Sequence, residues 1–164
     1  MNIPIHSRTL SDSITIIDDI DADLAQHSWR LTRNGYAMST ICVDKKWRNV
    51  YLHRMILERI TERSLSRREL GDHANHDKLD NRRHNLRVAS YSQNGMNGLK
   101  RKETTSQYKG VYWHKSHNRW MARAFVDGKN IWLGYFLNET EAAQAYDEAA
   151  KNLYGEFAHL NLPG

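Results

Sequence analysis

The sequence has almost no cysteine and no long apolar run. Cys42 is the single cysteine among 164 residues, which excludes an internal disulfide framework and a zinc site built on four thiolates. We expect Cys42 to be a small buried apolar residue. No stretch approaches the roughly 18 apolar residues that a membrane span needs, and the N-terminus lacks the pattern of a secretory signal. These absences predict a soluble, cytoplasmic protein without a membrane partner.

Positive charge is concentrated in the middle of the chain, within a formal net charge of +5. Residues 44–103 hold fifteen Lys or Arg against eight acidic residues, and residues 104–137 hold five against one. Both flanking segments are net acidic. Two basic blocks are typical of a protein that contacts a polyanion in two places. A basic solvated surface would give the same count, so that alternative stays open at this point.

The first half of the sequence predicts short strands, one helix and then a polar segment. Asn34-Gly35 lies between two half-apolar runs and predicts a hairpin turn. Residues 52–60 carry apolar side chains at helical spacing. Residues 70–90 are dense in Asp, His and Asn, which make poor core material but good metal ligands and hydrogen-bonding groups.

This polar segment has the residue types that metal-assisted phosphodiester hydrolysis needs. Asp72 and Asn85 can supply two oxygen ligands to one divalent ion, Mg²⁺ with Mn²⁺ as a substitute. His73 can take a proton from the attacking water because its ordinary pKa is close to neutral. Asn81 can fix the tautomer of that base. Three arginines could hold phosphates, namely Arg82, Arg83 and Arg87.

Other interpretations of the same segment have less in their favour. A polar loop with a helix cap has the same composition, and the composition alone does not exclude it. An EF-hand needs a glycine and a terminal glutamate at fixed offsets, which the segment lacks. A zinc site on His73, His76 and His84 would have neither a thiolate nor a third well-spaced ligand.

The second half predicts a linker followed by a compact module. Residues 91–107 contain several glycine breaks and three consecutive cations, Lys100, Arg101 and Lys102, which could follow a phosphate backbone. From residue 108, three alternating segments joined by turn residues predict an antiparallel sheet. Residues 139–155 then predict a helix with an alanine-rich apolar stripe.

The period of two along each strand divides this sheet into two faces. The face expected to meet the helix carries Val111, Trp113, Trp120, Ala122, Ala124, Ile131 and Leu133. The other face carries Tyr112, His114, Met121, Arg123, Phe125, Asn130 and Trp132. An uncovered face with aromatic and cationic side chains is typical of a binding surface, and a β-sheet can present such side chains to the major groove of DNA. A protein-binding face, or one buried on the first domain, is the alternative.

The motif L-H-R at 52–54, followed by D-H-x-N-x-D-x-L-D-N-R-R-x-N-L-R at 72–87, closely resembles the HNH homing endonucleases of phages and mobile introns. The resemblance covers about residues 10–100. It implies an α+β protein whose nuclease domain, residues 1–90, has a ββα-metal core at about 70–90. It also implies the roles of four residues: His73 as general base, Asp72 and Asn85 as ligands of one metal ion, and Asn81 as the residue that positions the base.

Residues 106–163 resemble the ethylene-response-factor (Apetala-type) DNA-binding domain of plants. The matching motifs include Y-K-G-V at 108–111, W-L-G-Y-F at 132–136 and E-A-A-Q-A-Y-D-E-A-A at 141–150. In that family the three-stranded sheet lies in the major groove. The DNA-contacting residues that this implies are Lys109, Tyr112, His114, Arg119, Arg123 and Trp132. Several of these positions are not the family's arginines, so the base preference does not carry over.

Together the two halves predict a site-preferring, metal-dependent endonuclease of double-stranded DNA. The nuclease domain would span residues 1–90, the basic linker 91–107 and the DNA-binding domain 108–164. One catalytic centre per chain would cut one strand, so the protein would act as a monomer or a weak dimer. The alternatives are a DNA-binding regulator with an inactive nuclease module and an RNA-directed nuclease.

Overall fold

The structure is a computed structural model that describes residues 1–6, 13–43, 45–100, 104–126 and 128–162. The chain divides into two units, Met1–Ser90 and Tyr91–Gly164. Both contain helices and antiparallel strands, as the predicted α+β class requires. No helix in the described ranges is long and apolar enough to cross a membrane.

Among its described residues, the first unit contains seven short strands and one α-helix. In chain order these are β1 (Asn2–Ile5), β2 (Ser13–Ile16), β3 (Arg30–Leu31), β4 (Ala37–Val43), β5 (Lys46–Tyr51), α1 (Leu52–Thr61), β6 (Leu70–His73) and β7 (Leu86–Ala89). Two 3₁₀ helices, Asp19–Gln26 and Arg83–Asn85, lie between them. The strands form three sheets, β1–β2, β3–β4–β5 and β6–β7, in which every pair is antiparallel.

One apolar core joins these elements. Helix α1 buries Leu52, Ile56 and Leu57 on one side, as the helical spacing predicted. The helix ends at Thr61 and is followed by the capping residue Glu62, whose φ of 52° is left-handed. The core is completed by side chains from several other elements, namely Ile3, Ile5, Ile17, Leu24, Trp29, Ala37, Leu65 and Leu86. The polar hairpin β6–β7 is therefore attached to this core through its own strands.

The expectation that Cys42 is buried is wrong, because its side chain is exposed. Strand β4 alternates, and Ser39 is buried whereas Thr40 and Cys42 face solvent. Cysteine is apolar enough for a core, but the pleat of the strand decides which side it faces.

The part of the second unit that the structure describes is a three-stranded sheet with one long and one short α-helix and a final 3₁₀ helix, Gly155–Phe157. Its elements are α2 (Tyr91–Asn97), β8 (Val111–His114), β9 (Arg119–Val126), β10 (Lys129–Phe136) and α3 (Glu139–Tyr154), with the strands in the order β10-β9-β8. The core between α3 and the sheet holds small side chains, Val111, Ala122, Ala142 and Ala143. The alanines let the helix lie close to the strands, as the sequence predicted.

Two predictions about residues 70–107 need correction. Residues 70–90 contain two strands and a 3₁₀ turn but no α-helix, so the helix of the expected ββα core does not lie there. The expected linker, residues 91–107, begins with helix α2 despite its glycine and asparagine. Met96 and Asn97 are buried, and packing of this kind overrides weak helix propensity. Arg101 and Lys102 lie outside the described residues.

Candidate functional site

The loop between β6 and β7 is held by the hydrogen bonds of its own polar side chains. The Asn85 Oδ1 accepts a bond from the Asn75 backbone N–H (3.0 Å), and its Nδ2 donates to the Asp80 carbonyl (2.7 Å). The Asp80 carboxylate in turn accepts a bond from Asn75 Nδ2 (2.8 Å). Asn85 is 3% exposed. Its side chain therefore ties the two ends of the loop together.

His73 ends strand β6 and is held by a chain of buried polar groups. Its Nε2 lies 3.3 Å from Asn81 Oδ1. The Asn81 Nδ2 donates to Thr15 Oγ1 (2.7 Å), and that hydroxyl donates to the Leu79 carbonyl (2.7 Å). Because the Asn81 amide nitrogen is turned to Thr15, its oxygen faces His73 and accepts. This arrangement puts the proton of a neutral His73 on Nε2, so Nδ1 is the basic nitrogen of the ring.

Burial lowers the pKa of His73, and the hydrogen bond to Asn81 opposes this effect. The side chain is 4% exposed, so the charged imidazolium loses the hydration that would stabilise it. A pKa below the ordinary value keeps the ring neutral at neutral pH. A neutral imidazole is the protonation state that a general base needs.

Asp72 precedes His73 and forms a buried ion pair. Its Oδ2 accepts a bond from Arg87 Nε at 2.8 Å, and the Arg87 side chain is 15% exposed. The two residues lie opposite each other in the β6–β7 ladder. Asp72 is therefore the chain neighbour of the candidate base, and Arg87 on the paired strand β7 balances its negative charge.

The other two arginines of this cluster are also paired with carboxylates. Arg82 contacts Asp80 through two bonds of 2.7 and 2.8 Å, and Arg83 contacts the buried Asp21 through bonds of 2.8 and 2.9 Å. Arg82 holds the pKa of Asp80 at about 2, and Arg83 lowers the pKa of Asp21. A phosphate would have to compete with these carboxylates, so DNA contact by the three arginines stays a prediction.

Two aromatic side chains lie next to His73, and the sequence analysis did not assign them to the site. The ring centroid of His53 lies 5.2 Å from that of His73, and Tyr36 lies 5.1 Å from His53 and 6.0 Å from His73. Burial lowers the pKa of His53 to about 3. A Cβ on Gly71 would lie 2.4 Å from the His53 ring. The signal in the sequence was the L-H-R motif, whose histidine packs against the base.

The donors available for a divalent ion are oxygen atoms. Asp72 offers a carboxylate, and Asn85 Oδ1 accepts one N–H and has a second lone pair. Hard oxygen donors suit Mg²⁺, which keeps several waters when it binds, so the donor chemistry fits this ion. Across the part of the chain that the structure describes, no group of three or more His, Cys, Asp or Glu side chains could hold a metal. The zinc alternative on three histidines therefore has no support.

The open face of the second unit carries the exposed aromatic side chains that the strand alternation predicted. Trp132 is 63% exposed and Phe125 is 56% exposed, whereas Val111 and Ala122 on the opposite face are fully buried. The guanidinium carbon of Arg123 lies 4.3 Å from the centre of the Tyr112 ring. This division of the sheet into two faces is confirmed.

The same face includes a residue that strict alternation missed. The pairing of β9 and β10 shifts between Trp132 and Gly134, so Tyr135 lies on the open side. The Tyr135 ring lies 5.2 Å from that of His114 and 5.6 Å from that of Trp132. A β-bulge adds one residue to a strand and reverses the alternation after it. Arg119 is exposed on β9.

The Lys109 ammonium group binds backbone carbonyls within the protein instead of facing solvent. Its Nζ donates to the carbonyls of Met96 (2.5 Å) and Gly98 (2.6 Å), at the C-terminal end of α2. Burial lowers its pKa to about 8. A cation at this position satisfies carbonyls that the helix leaves without partners. The predicted contact of Lys109 with DNA stays a prediction. Lys100, in the same unit, is partly buried.

Comparison with known proteins covers both units. The family described as the AP2 domain matches residues 106–156. A protein named as an uncharacterized HNH endonuclease of Acanthamoeba polyphaga mimivirus is 33% identical over 138 residues, which is 84% of this chain and 68% of that protein. Dehydration-responsive element-binding protein 2D of Arabidopsis thaliana is 50% identical over 58 residues, or 34% of this chain and 28% of its own length.

A second plant relative shows the same restricted match. An AP2/ERF and B3 domain-containing transcription repressor of Arabidopsis thaliana is 39% identical over 71 residues, which is 43% of this chain but 19% of that protein. Each of these two plant matches covers less than half of this chain, whereas the match to the mimivirus relative covers most of it. The chain belongs to the HNH endonuclease family and carries a C-terminal AP2 domain, and both predicted resemblances are confirmed.

Proposed function

We propose that this protein is a divalent-metal-dependent endonuclease that cleaves double-stranded DNA, with His73 as its general base. The observation that carries the proposal is the buried contact between His73 and Asn81. It orients a neutral imidazole in a chain of the HNH endonuclease family. A general base needs one ring nitrogen that can accept a proton, and a hydrogen bond at the other nitrogen fixes the tautomer that provides it.

In this proposal the residues of the hairpin have separate roles. Asp72 and Asn85 bind one Mg²⁺ ion, which Mn²⁺ replaces. When bound, such an ion stabilises the negative charge that develops on the phosphate. His73 accepts the proton of the attacking water at Nδ1. Asn81 orients the ring, and the aromatic side chains of Tyr36 and His53 restrict its movement.

The AP2 domain holds the substrate. Its open sheet face contacts duplex DNA through Tyr112, His114, Arg119, Arg123 and Trp132. Lys100, Arg101 and Lys102 follow the phosphate backbone, and the exposed Tyr135 joins the aromatic side chains of the sheet. One catalytic centre per chain cuts one strand at a time, so a monomer produces nicks. The support for this part is the exposed aromatic face together with the AP2 match.

The test is cleavage of supercoiled plasmid in Mg²⁺, in Mn²⁺ and in EDTA. We expect nicked circles in both metals and none in EDTA, because the ion supplies charge stabilisation that the residues cannot. Excess duplex DNA should inhibit the reaction, while the same mass of structured RNA should not. DNA binding without cleavage in either metal would favour the regulator, and preferential cleavage of RNA would favour an RNA-directed nuclease.

A further inference from the structure

The loop between β8 and β9, residues 115–118, brings two histidines together. Strand β8 ends at His114, and the chain reverses within the loop. Asn118 has a left-handed φ of 49°, and its N–H donates to the Lys115 carbonyl at 3.4 Å. Asparagine tolerates this conformation better than most residues. The tight reversal places the His117 ring 4.5 Å from the His114 ring, measured between centroids.

Three donor atoms of this turn are almost equally spaced. Nδ1 of His114 lies 3.0 Å from Nδ1 of His117, and Ser116 Oγ lies 3.2 Å from the first nitrogen and 3.3 Å from the second. Two ligands at the usual zinc–nitrogen distance are about 2.9 Å apart in octahedral geometry and about 3.4 Å apart in tetrahedral geometry. The triangle of donors therefore has the size of one face of a metal coordination sphere.

The short distance between the two ring nitrogens favours a cation over an anion as the occupant. In this arrangement the two nitrogens cannot both carry a proton, because their N–H groups would point at each other. At least one nitrogen keeps its lone pair, and a metal ion displaces the proton from the other. The Ser116 hydroxyl adds an oxygen with two lone pairs. An anion would instead need a hydrogen-bond donor at each of the three positions.

Tyr135 on the neighbouring part of the sheet holds both imidazole rings. The His117 ring stacks on the Tyr135 ring, with centroids 4.6 Å apart and planes 14° apart. The His114 ring meets the Tyr135 ring in an edge contact at 5.2 Å. Ligands that are already held in place lose less conformational entropy when they bind. Contacts with β10 thus position both histidines for a shared ion.

We propose that His114, His117 and Ser116 bind a divalent transition-metal ion of the zinc type. Imidazole nitrogen suits Zn²⁺, Ni²⁺ and Cu²⁺, whereas Mg²⁺ prefers oxygen. The set has two side chains of the His, Cys, Asp and Glu types, one fewer than the groups that the described chain lacks. It leaves coordination positions for water, so the ion exchanges readily. None of the three residues belongs to the β6–β7 hairpin, so the site does not rest on the proposed nuclease function.

Isothermal titration calorimetry of the full chain with Zn²⁺ alone tests the site. Cys42→Ser is the parent protein, because the exposed thiol would also bind zinc, and excess Mg²⁺ occupies the oxygen ligands of the first unit. We expect the parent to bind one Zn²⁺ ion per chain at its tightest site. His117→Ala should weaken this binding by at least about tenfold, since even the loss of an outer partner of a metal ligand has such an effect. His84→Ala removes an exposed histidine elsewhere and should leave the affinity unchanged.

A gain of affinity tests the position of the hydroxyl. Ser116→Asp replaces a neutral oxygen with a carboxylate, which is a common zinc ligand, and should tighten Zn²⁺ binding by at least about tenfold. The matched control is Asn118→Asp, which adds the same charge to the same exposed loop outside the triangle of donors. Salt screens such a charge, so we expect it to tighten binding by about threefold at most in 0.15 M salt. Circular dichroism checks that every variant is folded.

Three outcomes overturn the proposal. The first is the absence of zinc binding by the parent protein in excess Mg²⁺. The second is zinc binding of equal strength in the parent and in His117→Ala. The third is equal tightening by Ser116→Asp and Asn118→Asp. Any of them would mean that the three side chains only share hydrogen bonds with one another.

Discussion

At the scale of single residues, Asn81 connects the candidate base to the core of the first unit. It is 1% exposed, and its amide bonds to His73 on one side and Thr15 on the other. The sequence indicated its role, because an amide near a histidine can fix a tautomer. Thr15 could not be identified in this way, since it lies 66 positions away in the sequence and only the folded chain brings the two together.

Asn81→Ala and Thr15→Val separate the two sides of this amide. Each should destabilise the first unit by about 1 to 3 kcal/mol, because each leaves a buried polar group without its partner. Only Asn81→Ala removes the hydrogen bond between residue 81 and His73, so we expect it alone to lower the cleavage rate at saturating DNA by at least about tenfold. Urea unfolding and single-turnover cleavage measure the two effects. Equal rates in the two variants would contradict the positioning role of Asn81.

At the scale of elements, the period of two predicted the sheet faces and the period of 3.6 predicted helices α1 and α3. Three features depended on tertiary contacts and could not be predicted. The exposure of Cys42 follows from which side of β4 faces the core. Tyr135 reaches the open face through a bulge, and helix α2 depends on buried Met96 and on Lys109.

Gly110 is the position where the sheet of the second unit depends most on the absence of a side chain. Its φ is +75°, and a Cβ there would lie 2.1 Å from the Tyr146 ring. Gly110→Ala should destabilise this unit by at least about 2 kcal/mol through backbone strain and the clash. Gly128 has a similar φ of +80° with no atom within 4 Å of an added Cβ, so Gly128→Ala reports the strain alone. Thermal unfolding should show a clearly larger loss for Gly110→Ala, and equal losses would show that the clash is relieved.

At the scale of the whole molecule, the stability of the first unit depends on pH, because it includes ion pairs between carboxylates and arginines. Asp80 and Asp21 both have a lowered pKa in the folded protein because of Arg82 and Arg83 respectively. A lowered folded pKa means that the stabilisation is complete above the unfolded pKa, near 4. It is lost as the pH falls through the folded pKa, which is about 2 for Asp80.

We therefore expect the free energy of unfolding of the first unit to fall between about pH 4 and pH 2. Asp80→Asn should be less stable at pH 7 and should lose less stability over the acid range, because the titrating group is gone. Urea denaturation at several pH values measures both. An Asp80→Asn profile parallel to that of the unchanged protein would contradict the linkage.

The sequence predicted the net positive charge of the two basic blocks but not which of their cations form ion pairs. The two basic blocks predicted contact with a polyanion, but the count could not tell paired from unpaired cations. Folding pairs Arg82, Arg83 and Arg87 with acidic side chains from near and far in the sequence. Lys46 and Arg48 lie on the β4–β5 hairpin, and among the residues that the structure describes neither of them forms an ion pair.

The central claim is that His73 acts as a base in the cleavage of DNA. The most direct measurement compares plasmid nicking by His73→Ala and His84→Ala in Mg²⁺ at equal DNA occupancy. His84 is an exposed histidine of the same segment and serves as the matched control. We predict that His73→Ala nicks at least about a hundredfold more slowly than the unchanged protein, while His84→Ala retains its rate. Nicking by His73→Ala at the unchanged rate would contradict the account.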